Sequence, residues 1–315
     1  MADQLSLLFE MYTIVTIPAD APEASEPLGT KDKFWYGDQF LFKKARGETG
    51  EDWSEKVCAE LADRLGVPHA EYELADWQTN DGSVRGVTSR NFCPTGATLI
   101  LGNELLAEVD PDYAEGTVSK FRVPAHTLGR IAATLRNRSP NLPLGWTLPP
   151  FARTALDVFV GYLLLDAVVG NGDRHHENWG VIRMANGETH LAPTFDHASS
   201  LGRNLLDEER SRRLQTKDAG FTIEAFARRA RSALYRSELD RKPLLILEAF
   251  QEAARLAPAA ALGWMDVLAG ITDAEVAILV DDVPPKRISD IAAEFAKRLL
   301  FINKKRVIEL KKELQ

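Results

Sequence analysis

The segment GNGDRHHENWG (residues 170–180) decides how this chain is read. It sets Asp173, Arg174, His175, His176, Glu177 and Asn178 at the end of FVGYLLLDAVVG, a strongly apolar run. Residues that carry chemistry gather on loops held by a rigid scaffold, and this loop leaves the core directly. Downstream, WGVIRM and THLAPTF read as short strands joined by ANGE, whose Asn-Gly pair signals a hairpin. Asn178 follows Asp173 by five positions, and Asp196, in PTFDHASS, follows Asn178 by eighteen. A hairpin returns the chain beside its start, so Asp196 is expected next to Asn178.

Two carboxylates and one amide oxygen around a small volume suit magnesium, which completes its shell with phosphates and water. Phosphoryl transfer uses such a centre. One Asp positions the attacking hydroxyl and accepts its proton, while an Asn and a second Asp hold the metal. On this reading Asp173 is the catalytic base, Asn178 and Asp196 are metal ligands, and ATP and Mg2+ are the cofactors. The five-residue Asp–Asn spacing is also that of the protein-kinase catalytic loop. The His-Arg pair that precedes the Asp there is missing; Arg174 and His175 follow it instead.

The string G-x-G-D-R-H-x-x-N, followed by L-A-P-x-F-D-H, resembles the HipA-like kinases, bacterial serine/threonine kinases often found as toxins. It is similar, more distantly, to the D-R-H-x-x-N and D-F-G-H elements of phosphoinositide 3/4-kinases. The resemblance implies an α+β, two-lobed, protein-kinase-like fold. A small antiparallel-sheet N-lobe with one helix would span residues 1–92, and a mainly α-helical C-lobe residues 93–315. It also implies the compact form, a kinase core without an additional N-terminal subdomain.

The first half is compatible with that expectation. MYTIVTI, AEYELADWQ and SVRGVTSRNF read as strands, and KFWYGDQFLFKKA as a hairpin. GETGEDWSEKVCAELADRLGVP reads as a helix, with Trp53, Val57, Leu61 and Leu65 on one face. Its acidic start suits the helix dipole, and Gly66 with Pro68 stops it. FLFKKA offers Lys43 or Lys44 to the phosphates of ATP; alternation lets only one face a cleft. The helix offers Glu55 or Glu60 as its partner. The resemblance favours Lys43 with Glu55. PLGTKDKFWYG reads as a phosphate-covering turn, with Gly29 for close approach, the Thr30 hydroxyl and the Lys31 charge. By resemblance alone, backbone groups near Arg90 and Phe92 form the adenine hinge. His175, present in both related families, orients Asp173 or contacts phosphate.

In the second half, FCPTGATLILGNE reads as a connector, and VPAHTLGRIAATLRN as an amphipathic helix capped by Thr127. A helix is expected from the Pro149-Pro150 pair through Val169. Asp166 within it is expected to brace the catalytic loop, because a buried carboxylate needs hydrogen-bond partners. His176 and Glu177 are expected at the surface and Trp179 in the core. From Leu205 onward the pattern is almost wholly helical. It includes a basic stretch, Arg228 to Arg241, read as a solvated helix face.

Bulk properties narrow the function. The 315 residues are 45% hydrophobic and 27% charged, an ordinary globular composition. A net charge of −8 argues against direct nucleic-acid binding, which needs a basic footprint. Cys58 and Cys93 form no C-x-x-C pair and suit a reducing cytosol. Ala155 to Val169 contains Asp157 and Asp166 and is too short to insert in a membrane, and the N-terminus does not read as a signal peptide. The expectation is a cytoplasmic Ser/Thr kinase with a protein substrate. By resemblance it is a toxin with a cognate antitoxin or another regulatory partner. The alternatives are a phosphoinositide or small-molecule kinase, and a nucleotide-binding regulator or AMP transferase on the same fold.

Overall fold

The computed structural model of the chain describes residues 11–22, 24–25, 32–37, 39–47, 49–110, 113 and 122–314. Six strands form the first sheet: β1 (Ile14–Ile17), β2 (Ala24–Ser25), β3 (Lys33–Tyr36), β4 (Phe40–Lys44), β5 (Tyr72–Thr79) and β6 (Gly82–Arg90). Their order is β1-β5-β6-β4-β3-β2. The sheet is antiparallel except at one edge, where β1 runs parallel to β5. The chain between those two strands is long enough for a crossover, since it makes the β3–β4 hairpin and helix α1 (Glu51–Leu65) on the way. Gly37, at φ 54°, makes the turn of that hairpin.

Helix α1 packs between the sheet and the helices of the second lobe. It is buried on nearly every side, including Glu51, Asp52 and Glu55 of its acidic start. The single apolar face read from the sequence is therefore too narrow. Those carboxylates point at protein partners, so their role is larger than a favourable end charge.

The second lobe is built on helix α4 (Ala155–Val169), in which every residue but Asp157 is buried. Around it lie α2 (Gly102–Val109), α3 (Leu128–Arg138), α5 (Asp207–Gln215), α6 (Ile223–Arg229), α7 (Ile246–Leu256), α8 (Pro258–Gly270), α9 (Asp273–Asp281), α10 (Asp290–Glu309) and the short α11 (Lys311–Leu314). A small antiparallel sheet, β7 (Thr98–Leu101), β8 (Gly180–Arg183) and β9 (Thr189–Leu191), carries the loops on either side of the expected hairpin. Among the described residues no helix is long and apolar enough to cross a membrane.

Three local expectations are corrected. Helix α4 starts at Ala155, not at the proline pair, because Thr154 and Asp157 form a capping box. The Asp157 N–H donates to Thr154 Oγ1 at 3.2 Å, and Asp157 Oδ2 accepts from the Thr154 N–H at 2.9 Å. The connector before α2 contains a strand, β7, which satisfies its backbone against β8. The basic stretch is not one helix. Arg228 and Arg229 end α6, and the chain then runs irregularly to Leu245, bridging to Thr127 through Tyr235.

The C-terminal lobe also reaches around to the first sheet. Arg287 donates to Asp52 Oδ2 at 2.9 Å, to Asp76 Oδ1 at 2.6 Å and to the Ala75 carbonyl at 3.2 Å. Arg85 adds a second guanidinium to Asp52 at 2.9 Å. Tyr12 donates its N–H to the Asp282 carbonyl and its hydroxyl to the Leu279 carbonyl. Breaking a buried pair from one side leaves an uncompensated charge. Arg287→Ala should therefore lower unfolding free energy by about 3–5 kcal/mol. Denaturant titration of wild type and variant checks this, and an unchanged midpoint would refute it.

Candidate active site

Helix α4 ends at Gly170, whose φ of 74° is the left-handed geometry a helix stop requires. Two residues on, a Cβ at Gly172 would lie 2.7 Å from the Arg231 carbonyl, so only glycine fits there. The loop is then shaped from inside by Arg174, which is fully buried. Its Nε and Nη2 each donate to Asp166 at 2.8 Å, and its Nη1 donates to the Asn178 carbonyl at 2.6 Å. Asn171 Nδ2 adds a third donor to Asp166 at 2.8 Å. Burial alone would lower the pKa of Arg174; Asp166 more than offsets that and raises it. Asp166 thus has the bracing position expected for it.

The loop presents Asp173, His175 and Asn178 together. Asn178 Nδ2 donates to the Asp173 carbonyl at 2.7 Å, which fixes the amide. His175 Nδ1 accepts from the Glu177 N–H at 3.1 Å. Neutral His175 therefore carries its proton on Nε2, which stands 3.8 Å from Asp173 Oδ1. His176 does not face solvent. It is buried, with Nδ1 2.8 Å from the Tyr113 hydroxyl and its ring against His126. A solvated reading of His176 failed because a histidine beside a loop looks surface-like when its partner is 63 positions away. Trp179 is core, and its Nε1 donates to His126 Nε2 at 3.2 Å.

Asp196 lies across from the loop at φ 60°, a left-handed conformation that costs a non-glycine residue of order 1–3 kcal/mol. Bonds on both sides hold it there. Its N–H donates to the Tyr72 hydroxyl at 3.3 Å, and the next N–H, of His197, donates to Glu55 Oε1 at 2.6 Å. Lys43 Nζ stands 3.8 Å from Asp196 Oδ1 and donates to the Tyr72 hydroxyl at 3.2 Å. Burial alone would lower the pKa of Lys43; Tyr72, Asp196 and Glu55 outweigh it and hold the ammonium charged. Lys44, on the opposite face of β4, pairs with Asp32 near solvent. Strand alternation thus points Lys43 into the cleft and Lys44 out of it.

Glu55 is close enough to act on Lys43 electrostatically, yet its short contact is the backbone of His197. The Lys43–Glu55 ion pair expected from the sequence is replaced by a Lys43–Asp196 contact. Phe92 stacks on Phe195 with ring centres 5.6 Å apart, next to Asp196. Arg90 ends β6 in solvent, with Nη2 3.4 Å from Gln39 Oε1. Gly29, Thr30 and Lys31 lie outside the described residues.

The oxygens of Asn178 and Asp196 are hard donors of the kind magnesium takes. Among the described residues no group of three or more His, Cys, Asp or Glu side chains is placed to hold a metal. That is compatible with a magnesium site, where an amide and phosphate oxygens supply the remaining ligands. A cleft of about 780 Å³ near Arg136, Asn141 and Asp157 contains none of these residues.

Sequence reasoning missed Tyr72, Ser199 and Arg203. Ser199 Oγ donates to Asp173 Oδ2 at 3.2 Å, and Arg203 Nη2 lies 3.4 Å from that Oγ. The string D-H-A-S-S could have flagged Ser199 by its nearness to Asp196. Nothing local marks Tyr72 or Arg203.

The buried histidines carry a pH signature. Burial, helped by His176, pushes His126 down from 6.5 to about 3. Between those values the unfolded chain takes up a proton that the folded chain refuses. Stability is full above about 6.5 and falls as pH drops toward 3. His126→Gln should therefore lose less stability than wild type between neutral pH and pH ~4.5, measured by urea midpoints. Equal losses would show that His126 is not the group responsible.

No protein-family model matches the chain, and no curated relative matches it. Solved structures do. A Helicobacter pylori proinflammatory kinase, CtkA, superposes with a TM-score of 0.69 at 20% identity, covering 96% of this chain and 98% of that one. HipA of the Shewanella oneidensis MR-1 toxin–antitoxin system, solved with HipB and its operator DNA, gives a TM-score of 0.46 at 12% identity, covering 94% and 68%. Over nearly its whole length, then, the chain has the two-lobed fold of the Helicobacter kinase.

Proposed function

We propose that this protein is a HipA-like kinase that transfers the γ-phosphate of ATP to a Ser or Thr hydroxyl of a protein. One observation carries the reading. Asp173 and Asn178 are joined on one loop, Lys43 stands beside Asp196 on the turn after the hairpin, and Ser199, three residues past Asp196, ties that turn to the Asp173 carboxylate. The kinase fold of the Helicobacter neighbour supports it.

In this reading Asp173 accepts the proton of the acceptor hydroxyl as the oxygen attacks phosphorus. His175 Nε2–H faces the same carboxylate and helps hold it in place. Lys43 leaves Asp196 to bind the nucleotide phosphates. Asn178 and Asp196 would hold a magnesium ion, which would supply charge neutralisation for the phosphates. The Phe92–Phe195 pair offers an apolar platform for the nucleobase, with the hinge backbone at residues 90–92 beside it. The acceptor is read as a protein rather than a lipid. The chain carries −8 net charge, and its basic stretch forms no continuous amphipathic helix for an anionic surface. The motif resemblance adds a toxin role with a cognate antitoxin.

Asp173→Asn and Asp196→Asn should each reduce γ-phosphate transfer by at least about 10²-fold while leaving the fold intact. Lys43→Met should act mainly through nucleotide affinity. Parallel incubations of a cell lysate with α- and γ-labelled ATP check the class of reaction. Label from the α position alone would establish AMP transfer instead. Label from the γ position in lipid alone would move the acceptor out of protein.

A further inference from the structure

Helix α1 and the segment after Asp196 are joined along their length. The Gly50 N–H donates to the Arg203 carbonyl at 3.4 Å. Ser54 Oγ donates to the Ser200 carbonyl at 3.2 Å, and Glu55 accepts the His197 N–H at 2.6 Å. Cys58 Sγ adds a long contact to the His197 carbonyl at 3.8 Å. His197 fixes the far side. Its Nε2 lies 3.2 Å from Arg174 Nη2 and 2.9 Å from Thr194 Oγ1. Arginine has no acceptor, so Nε2 accepts and the proton sits on Nδ1, facing Glu55.

One chain of contacts continues from this seam to the candidate base. Glu51, the first residue of α1, pairs with Arg203 Nη1 at 2.7 Å. The other terminal nitrogen of Arg203 donates to Ser199 Oγ at 3.4 Å. With that lone pair taken, the hydroxyl proton of Ser199 is directed at Asp173 Oδ2, 3.2 Å away. Glu51 and Arg203 are both almost wholly buried, so the guanidinium is fixed between helix and hydroxyl.

We propose that Glu51, Arg203 and Ser199 form a positioning relay that transmits the placement of helix α1 to the carboxylate of Asp173. The proposal rests on the reading of Asp173 as the base. Ser199 is a positioning residue: by holding Oδ2, opposite the oxygen that faces His175, it sets the rotation of the Asp173 carboxylate. The relay takes over part of the work expected of a Lys43–Glu55 pair, which this chain does not form. Nucleotide binding and base orientation are then served by different carboxylates of one helix, Glu55 through the Asp196–His197 turn and Glu51 through Ser199.

The relay makes a prediction that a merely local packing role does not. Wild type, Ser199→Ala, Ser199→Thr, Glu51→Gln and the Ala/Gln double variant are compared in steady-state transfer of γ-phosphate to casein. Ser199→Ala should lower kcat by about tenfold with KM for ATP unchanged, as expected for losing one oriented hydrogen bond. Ser199→Thr, which keeps the hydroxyl, should restore most of kcat. Glu51→Gln should lower kcat to a similar degree. Because the two residues act through one chain, the double variant should be no worse than about tenfold, where independent effects would multiply to about a hundredfold.

Multiplying effects, or a Ser199→Ala enzyme with wild-type kcat, would overturn the relay and leave the kinase reading standing. Should Glu51→Gln fail to fold, the Ala-versus-Thr comparison at position 199 decides alone. A wild-type enzyme that moves no γ-phosphate to casein or to any lysate protein would sink the kinase reading, and the relay with it.

Discussion

A fully buried guanidinium organises this molecule. Arg174 is clasped by both oxygens of Asp166, and neither charge has access to water. Such a pair contributes little net stability, because removing two ions from water offsets most of their attraction. Its value is directional. Asp166 is fixed on the last turns of α4, so Arg174 must follow, and its remaining nitrogens dictate where the Asn178 carbonyl and the His197 ring sit. The loop that offers Asp173 and the turn that offers Asp196 are thereby set from one point. A lysine at position 174 would present a single point charge and lose the planar fork that makes this possible.

Helix α1 is the second organiser, and its sequence conceals how. Glu51, Asp52 and Glu55 look like an ordinary acidic first turn. In the structure each goes to a different destination: Arg203, the Arg85–Arg287 pair, and the His197 backbone. The helix is thus keyed to the Ser199–Arg203 segment, the C-terminal lobe and the Asp196–His197 turn at once. Substitutions among these three carboxylates are not equivalent, although their spacing and chemistry would suggest it.

What the sequence revealed and what it hid divide along a physical line. The hairpin between Asn178 and Asp196 was legible, because its Asn-Gly turn and flanking short strands leave a local signal. The FLFKKA strand narrowed the lysine to Lys43 or Lys44, of which alternation let only one face inward, and the burial of α4 followed from its composition. Tyr72, Ser199, Arg203 and the partner of His176 were not legible. Each acts through a contact between segments far apart in the chain, and such contacts leave no periodic trace. The missed strand β7 belongs to the same class, since its partner β8 lies some eighty positions downstream. The start of α4 was different: Thr154 and Asp157 gave a local signal, and the proline pair distracted from it.

The tie between Arg287 and the first sheet has a mechanical corollary. With Asp52, Asp76 and Tyr12 all fastened to the C-terminal helices, the rear of the cleft cannot gape. The ribbon of β2, β3 and β4 that carries Lys43 lies at the opposite margin of the sheet and has no such tie from Arg287 or Tyr12. The molecule resembles a vice fastened at its spine, with the lysine on the opposite jaw.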